Sequence, residues 1–181
     1  MHGEYLNKDE RMRHPACLRT GGMAQVETRY FGTMSYEADS VFNFPSGLPA
    51  FRMETQFVPI EIPAHSPLIF LQSLMQPALC FLAFPILVVD RDYRLAVTRE
   101  DLAALELDPD RQPELGTDVA VLALLSLRDE FSATANLMAP LVVNLKTRRG
   151  LQAIRQDRVY SHQHPVNPQP ANAGAAVEQP C

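Results

Sequence analysis

Residues 135–165 read ANLMAPLVVNLKTRRGLQAIRQDRVYSHQHP, and this stretch holds the only tight cluster of positive charge in an otherwise acidic chain. Two apolar runs, residues 141–145 and 151–154, flank the polar link KTRRG at residues 146–150. Apolar runs joined by a short link that contains glycine indicate a β-hairpin, and here we expect a positive φ at Gly150. The hairpin tip should then carry Lys146, Arg148 and Arg149 into solvent as an exposed cationic surface.

The remainder of the chain is divided into short apolar segments, separated mainly by proline and glycine. Segments of strand length lie at residues 26–31, 57–62, 68–71, 79–84, 86–89 and 119–127. Many short strands with turn residues between them predict a mainly β fold, a single antiparallel β-barrel-like domain with one or two short helices. The apolar run at 119–127 also fits a buried helix, although its β-branched start favours a strand.

One helix is predicted over residues 99–107. Thr98 is a suitable N-cap, Glu100 and Asp101 suit the first turn, and the pair Asp108-Pro109 ends the segment.

At 181 residues the chain fits one domain. Residues 1–23 lack a helical or strand period, which predicts a disordered N-terminal arm or an over-extended start; the folded domain is expected at 24–166. Residues 167–181 are rich in Pro, Ala, Asn and Gln, a composition that predicts a disordered C-terminal tail.

Charge and cysteine usage exclude several classes of protein. The net charge is −5, with no long basic run, which argues against direct binding of nucleic acid. Residues 90–130 hold eleven acidic and five basic residues, net −6, whereas residues 146–158 hold five basic and one acidic, net +4. Three scattered cysteines indicate a reducing compartment, and the patterns of charge and hydropathy predict neither a secretory signal nor a membrane-spanning run. We expect a cytoplasmic protein.

The residue patterns predict no catalytic, cofactor or metal site. His162 and His164 have a spacing that can hold a metal, but no further ligand motif accompanies them, so two exposed imidazoles are the better interpretation. The acids near Asp90 and Asp92 lie in a hydrophilic segment, as expected of a solvated face. No serine has a nucleophile motif, and Cys80 lies in an apolar run.

The segment FPSGLPAF, residues 44–51, is a loop fixed by Pro45, Gly47 and Pro49. It is either a rigid turn that plugs one end of the barrel or part of a docking surface, and the structural role is favoured.

Taken together, TRYFG at 28–32, FNFPSGLPAF at 42–51, LQS at 71–73, PALCFLAFP followed by DRDY, the helix REDLAALEL and the stretch at 135–165 resemble the flagellar assembly factor family FliW. The resemblance covers residues 26–166. Departures are Ala50, where the family loop usually reads GLPGF, Gln163, where arginine is usual before His-Pro, and the arm before Met23. The alanine implies that the backbone at position 50 tolerates a Cβ.

The resemblance implies a β-barrel-like cytoplasmic protein that binds flagellin and the translational regulator CsrA, and relieves CsrA repression of flagellin translation. It implies a monomer when free, with no cofactor. We expect partner-binding residues among Lys146, Arg148, Arg149, Tyr160, His164, Asp90 and Asp92. The alternative is a small-ligand-binding or catalytic β-barrel with a pocket near Asn136, Asn144 and His164.

Overall fold

The structure is a computed structural model that describes residues 22–127 and 132–166. The strands are β1 Met23–Thr28, β2 Gly32–Glu37, β3 Phe42–Asn43, β4 Gln56–Glu61, β5 Ile69–Ser73, β6 Cys80–Pro85, β7 Val119–Leu127, β8 Ala133–Ala135, β9 Leu141–Asn144, β10 Gly150–Gln152 and β11 His164–Val166. The α-helices are α1 Ile86–Val89 and α2 Arg99–Ala104. Within the described ranges, no helix is long and apolar enough to cross a membrane.

The main sheet is antiparallel and runs in the order β10-β9-β7-β6-β5-β4-β3, while β8 and β11 extend it beside the second half of β7. The sheet curls until its outer strands meet: Asn43, the last residue of β3, forms a parallel bridge with Arg149, the residue before β10. The predicted mainly β, antiparallel, barrel-like fold is confirmed. The predicted hairpin is also confirmed, since β9 pairs with β10.

The curled sheet is buried on both faces at its centre. On β7, Val121 belongs to the cluster beneath α2, whereas Leu122 belongs to the cluster inside the curl. On β9, Val142 and Val143 are divided between the same two clusters. A strand that is buried on both faces needs apolar residues at successive positions. This requirement explains the unbroken run at 119–127, where the preference for a strand is confirmed.

The hairpin β1–β2 packs outside the curl, where Val26 meets Val58 and Ile60 of β4. The prediction of one strand over residues 26–31 is wrong beyond Thr28. The Thr28 side chain accepts a hydrogen bond from Phe31 N at 2.8 Å and donates one to Gly32 O at 2.9 Å, so the chain turns there. Strand β2 was not predicted because its sequence, GTMSYE, is largely polar and half exposed.

The strand predicted at 86–89 is wrong, because these residues form α1. Pro85 ends β6, Ile86 is buried, and Asp90 N donates to Ile86 O at 2.9 Å, which closes one helical turn. The predicted helix at 99–107 is confirmed as α2, with Thr98 Oγ1 accepting from Asp101 N. It ends at Ala104 rather than at 107, since Glu106 has a φ of 59°.

Candidate partner-binding surface

The tip of the β9–β10 hairpin is held by Asn144, which is buried. Its Oδ1 accepts from Lys146 N at 2.8 Å and from Thr147 N at 3.2 Å, while its Nδ2 donates to Leu105 O at 2.9 Å. One amide therefore fixes both the turn and the end of the α2 segment. The positive φ of the turn lies at Arg148, at 60°, and not at Gly150 as the sequence suggested.

Gly150 is a glycine for a steric reason. A Cβ at this position would lie 2.7 Å from Cε1 of Phe44, a ring that is almost fully buried. The close approach of β10 to the aromatic core, rather than turn geometry, requires the missing side chain.

The predicted exposure of the tip holds for Lys146 only. Arg148 and Arg149 are half-buried. Arg149 folds back across the end of α2, where its Nε donates to Ala104 O at 3.0 Å and lies 3.5 Å from Glu106 Oε1. Arginine binds backbone carbonyls readily at a helix C-terminus, where the helix dipole favours a cation. The local charge is thus partly neutralised within the molecule.

One of the predicted residues, Tyr160, lies in a cluster around Arg155, which is only 9% exposed. Its guanidinium donates to both carboxylate oxygens of Asp157 and to Arg94 O. It lies 4.9 Å from the ring centroid of Tyr160 and 5.7 Å from that of Tyr93, distances that permit cation–π attraction. We call this group the Arg155 clamp.

The clamp connects two loops. Tyr160 Oη accepts from Arg94 N at 2.9 Å, and Tyr93 Oη donates to Leu137 O at 3.2 Å. Asp90 and Asp92 precede Tyr93 in the same loop, and Asp90 Oδ1 accepts from Asp92 N. The loop that holds Asp90 and Asp92 is therefore bonded to Tyr160 through Arg94.

The clamp pairs a buried arginine with an exposed carboxylate. The hydrogen bond from Arg155 holds the pKa of Asp157 below its usual range, while burial raises the pKa of Tyr93. Sequence reasoning missed Arg155 and Asp157, because nothing in RQDRVY distinguishes a buried arginine from exposed ones.

His164 lies in a strand, and the side chain of Asn136 has a structural role. His164 starts β11 and pairs with Ala135, so its side chain is half-buried, whereas His162 is exposed. Asn136 Oδ1 accepts from Ala139 N at 3.0 Å, which confirms the expectation that it satisfies backbone at a strand entrance. With Asn144 engaged at the hairpin tip, two of the three residues of the alternative pocket are already bound to backbone.

The LQS motif forms a buried polar network. Ser73 Oγ donates to Glu54 Oε2 at 2.5 Å and accepts from the backbone N of Met75 and Gln76. Gln76 Nε2 donates to Glu54 Oε1 at 2.6 Å, and the amide of Gln72 donates to carbonyls of residues 73–79. These bonds connect the loop at 51–54 to the loop at 74–78. Sequence reasoning noted LQS but missed Glu54.

The acidic segment is largely exposed, and part of its charge is paired. Arg99 lies 2.6 Å from Asp110, and Arg111 lies 2.9 Å from Asp118. The hydrogen bond from Glu114 N and the pair with Arg111 lower the pKa of Asp118.

Within residues 22–127 and 132–166, no group of three or more His, Cys, Asp or Glu side chains could hold a metal ion. Burial raises the pKa of Cys80 to about 11, which leaves the thiol protonated and a weak nucleophile near neutral pH. Ser73 is fully buried and bound to Glu54. The polar side chains described above form hydrogen bonds that hold the surface loops in position.

The fold and the site together define a class of protein: a domain built on a curled antiparallel β-sheet, in which buried polar side chains hold the surface loops in place. The FliW protein family model matches residues 25–166, and the chain belongs to this family.

Individual relatives agree with this assignment. The flagellar assembly factor FliW of Bacillus subtilis (strain 168) is 30% identical over 142 residues, 78% of this chain and 95% of its own. That of Bacillus velezensis is 31% identical over 140 residues, 77% of this chain and 94% of its own. The crystal structure of the flagellar assembly factor FliW is similar with a TM-score of 0.69 and 28% identity, over 82% of this chain and 100% of that chain.

Proposed function

We propose that this chain is a cytoplasmic flagellar assembly factor that binds flagellin and, in a competing complex, binds CsrA and relieves its repression of flagellin translation. The observation that carries the proposal is the match of the family model to residues 25–166, which include nearly all of the described fold. The relatives that match are named flagellar assembly factors.

The charge distribution supports a role as an antagonist of an RNA-binding protein. Asp92, Glu100 and Glu106 are exposed on the loops and helix between β6 and β7, and Asp90 and Asp101 are half-buried beside them. An acidic surface that is brought near RNA raises the electrostatic cost of holding phosphates close by. Docked on CsrA, this surface would weaken RNA binding without occupying the RNA site.

A sizing column tests the assignment directly. The purified protein is mixed with flagellin, with CsrA, and with both together. We expect one complex with each partner, and displacement of CsrA as flagellin is added. If the protein formed a complex with neither flagellin nor CsrA, the proposed function would be overturned.

The electrostatic mechanism has its own test. Changing Asp90, Asp92, Glu100 and Asp101 to their amides should leave CsrA binding measurable and weaken RNA displacement, and added salt should weaken displacement in the unaltered protein. Equal RNA displacement by the two proteins at low salt would refute repulsion and leave the family assignment intact.

The hairpin tip needs a cleaner probe than Arg149, because that side chain also binds Ala104 O. Lys146→Glu reverses an exposed charge and should slow partner association with little effect on stability. Arg29→Glu, at an exposed position in the β1–β2 turn, is the matched control. Equal effects of the two changes would remove the tip from the interface.

A further inference from the structure

The two outer strands of the curled sheet, β3 and β10, contact each other over only a few residues. Asn43 N donates to Arg148 O at 2.8 Å, and Asn43 bridges Arg149, so β3 and the start of β10 are joined. Phe44 N then donates to Thr55 O, and the next residue, Pro45, has no N–H. From Pro45 onward the chain leaves β10, and the remaining edge of that strand is not covered by β3.

The uncovered edge presents backbone groups outward. Arg149 O accepts from Asn144 N, and Ala153 N donates to Pro140 O, so the odd-numbered residues direct their backbone groups toward β9. In an antiparallel pair the residues between them direct theirs the other way. The N–H and C=O of Gln152 therefore point away from β9.

They face a groove of ≈ 570 Å³ between β10, the end of α2 and the loop at 45–50. We call this groove the open seam. The loop at 45–50 forms the wall opposite β10, and its conformation is tightly constrained. Gly47 has a φ of 65°, and a Cβ there would lie 2.3 Å from Arg52 O. Leu48 and Phe51 exchange backbone hydrogen bonds at 3.2 and 2.8 Å. A preformed wall lowers the entropic cost of binding a flexible segment.

The charges at the open seam favour a carboxylate. Arg52 lines it and is exposed, and no acidic residue within 22–127 or 132–166 forms an ion pair with this arginine. Arg149 and the half-buried Asp101 line the same groove. Among the residues that the structure describes, the outward N–H and C=O of Gln152 form no backbone hydrogen bond, so the seam combines a free strand edge with an available cation.

We propose that the open seam takes an extended segment of a protein partner, which adds to the free edge of β10 and places a carboxylate on Arg52. The proposal rests on the proposed function for its partners. Backbone hydrogen bonds to an exposed edge supply affinity in strand addition, and side-chain pockets supply specificity. A second copy of the chain fits less well, because a three-residue edge offers too little surface for a stable symmetric interface.

A matched pair of variants tests the backbone contact. Gln152→Pro removes the outward N–H and leaves the ladder to β9, whereas Gln152→Ala keeps the N–H and removes only the side-chain bond to Ala139 O. With flagellin and CsrA as the probes, we expect the proline variant to bind at least one of them about fivefold to tenfold more weakly than the alanine variant. Dissociation constants are measured by calorimetry, and melting curves verify the fold of each variant.

A second pair tests the cation and does not depend on whether the proline variant folds. Arg52→Glu should lower the affinity for that partner at least as much as Gln152→Pro does, whereas Arg29→Glu should leave the affinity unchanged. In the unaltered protein, saturation with that partner should slow exchange of the Gln152 amide, as followed by NMR. Normal affinity in Arg52→Glu together with an unprotected Gln152 amide would overturn the inference while the proposed function stands. Binding of neither partner by the unaltered protein would overturn both.

Discussion

Replacement of Ala50 by glycine should stabilise this protein. Ala50 is the third residue of the turn Leu48-Pro49-Ala50-Phe51 and has a φ of 66°. With proline second, this is the arrangement of a type II turn, which favours glycine at the third position. The sequence had implied that the backbone here tolerates a Cβ; the structure shows that it does so under strain, because the alanine adopts the left-handed conformation.

The magnitude follows from two opposing terms. A Cβ in the left-handed region costs about 1–2 kcal/mol in the folded state. Glycine also raises the entropy of the unfolded chain, which offsets about 0.4–1 kcal/mol of that gain. The net expectation for Ala50→Gly is a free energy of unfolding higher by about 0.5–1 kcal/mol, or a Tm higher by roughly 2–4 °C.

Urea and thermal unfolding measure the change, with two controls. Ala96→Gly, at an exposed position outside the left-handed region, should lower stability by about 0.4–1 kcal/mol through the unfolded state alone. Gly47→Ala should destabilise by more, because its Cβ would meet Arg52 O at 2.3 Å. If Ala50→Gly leaves the Tm unchanged or lowers it as Ala96→Gly does, the strain assigned to this turn is wrong.

Two further changes test the packing of the hairpin and the Arg155 clamp. Gly150→Ala should lower the free energy of unfolding by about 1–3 kcal/mol, because the new methyl group meets the buried ring of Phe44; a neutral result in urea would contradict the close approach. The pKa of Asp157 is held below its ordinary value of 3.8 by Arg155, so its stabilising contribution is complete above that value and is lost as pH falls through the lowered pKa. Asp157→Asn should therefore be less stable than the unaltered protein at pH 7, and the difference should shrink below about pH 4. A difference that does not change with pH would show that the charge of this carboxylate is not what stabilises the clamp.

Local patterns in the sequence predicted a large part of the fold. Alternation of short apolar runs with proline and glycine indicated the β class, and Thr98 followed by acids indicated the start of α2, because caps and turns depend on neighbouring residues. The bounds and types of individual strands and helices were less predictable. Residues 86–89 are apolar and three of the four are β-branched, yet they form a helical turn, since Pro85 ends the strand and Asp90 N donates to Ile86 O.

The candidate site, too, was predictable from the sequence only in part. The charges of Lys146, Arg148 and Arg149 were visible in the sequence, but only the fold brings Ala104 and Glu106 to Arg149 and so removes it from the exposed set. These contacts join residues more than forty positions apart, which no local pattern records.

By itself, the sequence determined the β class, the hairpin and the family, because periodicity, turn residues and extended motifs are properties of neighbouring positions. The tertiary structure alone decided that Gly150 faces Phe44, that Arg155 is the centre of a clamp, and that the sheet closes at Asn43 and opens beside Gln152. Each of these depends on the curl of the sheet, which brings its first and last strands together, and that curvature is set by packing across the whole core rather than by any one segment.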